Sequence, residues 1–299
     1  MELWELEEIR WRLADVETAV YYFLNTNDGF DWGTFGPNAL AAAFGAGVGA
    51  GLGAWFMNRA ERTRLLAERR RLLVEEIRNT NAAIALTSSI MNSFGQVKGQ
   101  NTAPMFGKYT DDVNAREQFI AAKKVGHIPE IDEFNFELDL RNLLPIEPPF
   151  GTLQELIFAN ISLQGYPLML LNFLSDSIKN FNNAIGEWND IVVEFRANNY
   201  SHQQRANIYF SLTTAAGDTD ERFPSIQMGL HTYNDDGLFF AKLLGLELGK
   251  HGQALADKFE REFKERPEIN TIDFGNLEQR GLMPSDEAYA DFHENVQGN

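Results

Sequence analysis

Two histidine–carboxylate pairs are the best material this sequence offers for chemistry. His231 precedes Asp235 by four residues, and His251 follows Glu247 by four. On a helix that spacing puts both members of a pair on one face. Two such pairs on facing helices could converge on a metal, as carboxylate–histidine sites do in ferritin-like bundles. The other histidines, His127, His202 and His293, are scattered, and none has HExxH spacing. There is no cysteine, hence no thiol nucleophile, thiolate ligand or disulfide framework. Gly-x-Ser-x-Gly, P-loop and kinase motifs are missing as well. Ordinary i,i+4 surface pairing is the commoner use of such residues, and Asp111-Asp112 and Asp235-Asp236 read as caps or solvated faces. The expectation is no enzyme, no cofactor and no metal.

The elements that would carry these residues are helical. Leu171, Leu174, Ile178, Phe181, Ile185, Trp188, Val192 and Phe195 keep 3-4 spacing, which predicts a helix from Leu168 to Arg196. Leu66, Leu73, Ile77, Ile84, Met91 and Phe94 fall on a similar frame and predict a long helix from about Asn58 to Phe94, antiparallel to the first. Between them, Gly95 to Pro104 reads as a loop and Asp111 to Lys124 as a short helix. Phe134, Phe136, Leu138 and Leu140 alternate with polar residues, as one short strand or extended segment would. Thr152 and Glu155 form a capping-box signature for a helix ending near Leu163. Two helices are expected at Pro224–Leu248 and Gln253–Arg266. Residues 267–299 hold seven acids against one base and read as a mostly unstructured acidic tail.

The N-terminal part has a different character. Leu6, Ile9, Leu13, Val16, Val20 and Phe23 make an amphipathic helix within residues 1–31, suited to packing on a partner or lying among headgroups. From Trp32 to Asn58 no residue is charged, and the core of that run is Ala39 to Met57. Its length matches the ~20 residues a bilayer-spanning helix needs. Trp32 and Trp55 bracket it as interfacial aromatics would, and Arg59, Arg62 and Arg64 follow at once. Gly45, Gly49 and Gly53, with Gly47 and Gly51, give small faces for close helix packing in a membrane. Gly45-x-Gly47-x-x-Ala50 lacks the preceding strand of a dinucleotide fingerprint. Residues 1–31 hold eight acids and two bases, while residues 59–78 hold seven arginines and four glutamates. That bias places the N-terminus outside and the remainder in the cytoplasm.

The expected architecture is mainly α. An N-terminal amphipathic helix (1–31) precedes one transmembrane helix (32–58) running into a long helix. A cytoplasmic antiparallel bundle with at most one short strand (59–198), a helical region (199–266) and the tail (267–299) follow. The net charge of −17 repels phosphate and argues against nucleic acid as a partner.

This order of parts resembles a loose group of uncharacterised bacterial single-pass inner-membrane proteins. The matching parts are Ala39 to Arg64, the helix after it, Phe134-Asn-Phe-Glu-Leu-Asp-Leu-Arg-Asn-Leu-Leu144, and the helix up to Arg196. The resemblance implies location and architecture and carries no catalytic residues. The expected function is a membrane-anchored scaffold, homo-oligomeric through its glycine face, whose bundle binds an unidentified partner protein. Small auxiliary proteins of bacterial stress or phage-defence systems have this shape. The alternative is an oligomeric effector that permeabilises the membrane when triggered, which the lack of a polar pore lining weakens.

Overall fold

One helical path runs from Trp32 to Lys124, through the stretch that reads as a loop. The computed structural model describes the backbone of residues 32–129 and 131–297, so the helix expected in residues 1–31 lies outside the described residues. Helix α1 (Trp32–Val97) passes through a π-turn (Lys98–Thr102) into α2 (Ala103–Lys124). Pro104 explains the turn. It lacks an N–H, and its ring collides with the carbonyl four residues back in a regular α-helix. Widening the backbone by one residue per turn absorbs both problems without stopping the helix.

Contacts divide the chain into two units, Met1–Glu68 and Arg69–Asn299. In the first, every residue from Gly53 to Glu68 is exposed. The second holds the core. Its further helices are α3 (Phe150–Asn160), α4 (Tyr166–Ala197), α5 (His202–Tyr209), α6 (Arg222–Phe263), α7 (Gly275–Gln279) and α8 (Ala290–Gln297), with a 3-10 turn at Asp286–Tyr289.

Helix α6 is the organising element, a single helix where two were expected. Two of its glycines face close neighbours. A Cβ on Gly237 would stand 2.3 Å from the Phe94 ring, and one on Gly252 would stand 2.7 Å from Ile269. Their value is close approach, which offsets the helix penalty of glycine. The helix runs antiparallel to α4, since Phe173 meets Phe240 at 5.0 Å and Trp188 meets Phe223 at 5.4 Å. It is also antiparallel to the α1–α2 path: Arg69 pairs with Glu262, Lys98 with Asp235, and Phe106 stacks on His231. Helices α1 and α4 therefore run parallel, with Glu76 beside Ser162 and Phe94 beside Phe181. The expected antiparallel pairing of these two helices is corrected by the helix between them in direction.

The apolar stripe of α4 sits where its spacing placed it. Leu171, Leu174, Phe181, Ile185, Trp188, Val192 and Phe195 are buried, and Ile178 is half-buried against the same core.

Among the described residues there is no strand. Residues 132–148 have no regular secondary structure, and side-chain amides of α4 bond their backbone. Asn189 accepts from Leu143 N–H and donates to its carbonyl, both at 2.9 Å; Asn182 does the same for Ile146. Trp188 Nε1 donates to the Arg141 carbonyl at 2.8 Å. Helix α3 starts at Phe150 behind Pro149, so Thr152 is inside the helix and caps nothing. The tail expected to be unstructured packs on the core through Ile269, Leu277 and Leu282, and Tyr289 stacks on Phe239 at 3.7 Å. Its charge count concealed these interspersed apolar residues.

The membrane expectation gains no support. Among the described residues no helix is long and apolar enough to cross a membrane. Residues 32–58 are helical as part of α1, but Ala and Gly contribute little hydropathy per residue. The surroundings of Trp32, Gly45, Gly47, Gly49 and Gly51 lie outside the described residues.

Candidate functional site

The two histidine pairs do not converge. Both lie on α6, twenty residues apart, which is about 30 Å at 1.5 Å per residue. Among the described residues no group of three or more His, Asp and Glu side chains could hold a metal ion. His231 does approach Asp235, Nε2 to Oδ2 at 3.8 Å, with its ring stacked on Phe106 at 4.2 Å and 3° between planes. His251 turns away from Glu247, which pairs with Lys250 at 2.6 Å. Its Nε2 lies 3.3 Å from Glu76 Oε1, the same oxygen that accepts from Ser162 N–H and Oγ–H. Burial opposes charge on Glu76, but those two hydrogen bonds and the adjacent imidazole outweigh it and hold the carboxyl below its ordinary range. This cluster ties α1, the segment ahead of α4 and α6 together.

At the π-turn lies a buried polar seam that sequence reading missed. Lys98 Nζ sits 2.5 Å from Asp235 Oδ1, and the lysine side chain is 7% exposed. Asn234, fully buried one residue earlier, donates to the Phe94 carbonyl at 3.4 Å. Tyr289 donates to Asp236 at 2.8 Å, yet burial, with Asp235 adjacent, still pushes the Asp236 carboxyl upward. The only signal in the sequence was a lysine on the apolar frame of α1, four residues after Phe94.

A cleft of about 790 Å³ opens between α4, the loop before α6 and the first turns of α6. Glu187, Asp190, Glu194, Asp218, Asp220 and Glu221 line it over a floor containing Ile191 and Ile226. Arg222 is its one basic residue, and Glu194 at 2.8 Å and Asp220 at 2.7 Å clamp it. The guanidinium in turn holds both carboxyls below their usual range. The surface rejects anionic ligands and suits basic protein segments.

Helix α1 carries the exposed set. Trp55, Phe56, Met57, Leu65 and Leu66 are each more than half exposed, among the exposed Arg59, Arg62 and Arg64. Arg59 lies over the Trp55 ring at 5.3 Å. Large apolar groups exposed in such density are uncommon on a helix packed against a core.

Comparison with family models, with curated proteins and with solved structures finds no match.

Proposed function

We propose that the chain is a membrane-anchored interaction protein, in which α1 fixes a helical bundle at a bilayer and the bundle binds a partner protein. The observation that carries this reading is the run of α1 from Gly53 to Glu68. All sixteen residues are exposed, including Trp55, Phe56 and Met57 at the end of the uncharged stretch. A soluble helix hides such side chains against a neighbour; a bilayer surface accommodates them, aromatics first and arginines next. The acidic cleft gives the bundle a surface for a basic partner segment.

Fractionation of cells expressing the full chain tests the anchor, with a carbonate wash and protease protection of a tag at each end. The reading expects recovery in the washed membrane with the C-terminal tag protected inside. Recovery in the soluble fraction overturns it. Pull-down with the bundle intact and with Glu187 and Asp190 replaced by Gln then tests the partner surface.

A further inference from the structure

The arginines after the uncharged stretch are not equivalent. Arg69 Nε lies 2.6 Å from Glu262 on α6, and Arg70 lies 2.6 Å from Glu265 just beyond its end, so both are paired with the bundle. Arg59, Arg62 and Arg64 have no ion pair among the described residues and are exposed. Arg69 and Arg70, in the triplet that looks most basic in the sequence, are thus less available.

The free arginines are arranged as a collar rather than a stripe. At 3.6 residues per turn, Arg62 lies about 300° and Arg64 about 140° round from Arg59. A protein partner engages one face of a helix; a headgroup layer meets a crossing helix from every side. The collar also has the right height. Asn58 to Arg64 rises about 9 Å, close to the ~5–8 Å of a headgroup layer on one side of the hydrocarbon. Trp55, placed one turn earlier with Arg59 over its ring, fits the inner boundary of that layer.

We infer that Arg59, Arg62 and Arg64 form a binding collar for anionic phospholipid headgroups, with Trp55 packed beneath it. The inference rests on the proposed anchor. Three guanidiniums supply bidentate donors matched to phosphate oxygens, and Glu61 offsets one charge. Each basic residue near an anionic surface favours it about fivefold. The collar should therefore enrich anionic over zwitterionic lipid several-fold.

The test uses the full-length chain reconstituted into nanodiscs of equal phosphatidylglycerol and phosphatidylcholine, with retained lipids counted by native mass spectrometry. The wild type should retain phosphatidylglycerol at several times the phosphatidylcholine level. R59Q/R62Q/R64Q should fall to parity, and R69Q/R70Q should keep the enrichment. Equal retention by the wild type and the collar variant overturns the collar while leaving the anchor intact. Loss in R69Q/R70Q alone moves the site and overturns the assignment. A chain that does not enter the nanodisc overturns the anchor, and the collar with it.

Discussion

Lys98 and Asp235 join the π-turn to α6 through a contact of 2.5 Å, with side chains 7% and 18% exposed. An ion pair this buried is costly to break, because the survivor keeps its desolvation penalty without its partner. Lys98→Met should lower the stability of the full chain by about 3–5 kcal/mol in chemical denaturation. The double variant K98M/D235L should regain most of that loss, since an apolar pair of similar volume carries no such penalty. A double variant no better than the single one would show that the seam needs its charges.

The glycines of α6 give a sharper packing test. A Cβ at Gly237 would press into the Phe94 ring, whereas one at Gly249 meets nothing within 4 Å. Gly237→Ala should destabilise by about 1–3 kcal/mol through overpacking. Gly249→Ala should stabilise by roughly 0.5–1 kcal/mol through helix propensity alone. Urea midpoints of the two variants should move in opposite directions from the wild type.

These positions show what the sequence made legible. Apolar residues at 3-4 spacing placed the stripe from Leu171 to Phe195 within a residue or two, because periodicity reports burial directly. It does not report direction, and α1 and α4 run parallel because α6 lies antiparallel to both. Pro104 suggests a loop, and the stretch between Leu248 and Gln253 a gap, since the local cost is visible and the tertiary compensation, such as Gly252 against Ile269, is not. Of the candidate residues, His231 did find Asp235, but the link from His251 to Glu76 spans 175 positions and leaves no periodic trace. Lys98, Glu76 and the cleft acids were missed for the same reason.

Asn182 and Asn189 tie Asn142, Leu143 and Ile146 to α4. Asn189→Ala removes both partners of Leu143, leaving its N–H and carbonyl without them. The expected cost is about 1–3 kcal/mol. Hydrogen exchange should speed up at Leu143 and Ile146 while the amides of α4 stay protected, a local release that general unfolding would not mimic.

The Glu76 cluster predicts acid sensitivity of defined sign. Its folded carboxyl lies below the ordinary value of 4.5, so the folded state binds its proton more weakly than the unfolded chain does. The stabilisation is fully present well above 4.5 and is lost as pH falls through the lowered folded value. Glu76→Gln should therefore be less stable than the wild type at pH 7, and the gap should narrow below about pH 4.5. A gap constant with pH would mean that the contact from Glu76 to Ser162 works without its charge.

Gly53 offers a way to test self-association without disturbing the bundle. It is exposed, and a Cβ built there has open space around it, so a larger residue should fold normally. With Gly45 and Gly49 it makes the four-residue spacing that lets two membrane helices approach closely. Gly53→Ile would hold two such helices apart while raising the apolar content of the segment. The expected outcome is unchanged recovery in the washed membrane with a clear loss of cross-linked dimer in intact cells. Cross-linking equal to that of the wild type would exclude the 45/49/53 face as the contact and direct attention to Gly47 and Gly51, which lie on another side of the helix. Loss of membrane recovery together with dimer would instead mean that assembly, rather than hydropathy, holds the segment in the bilayer.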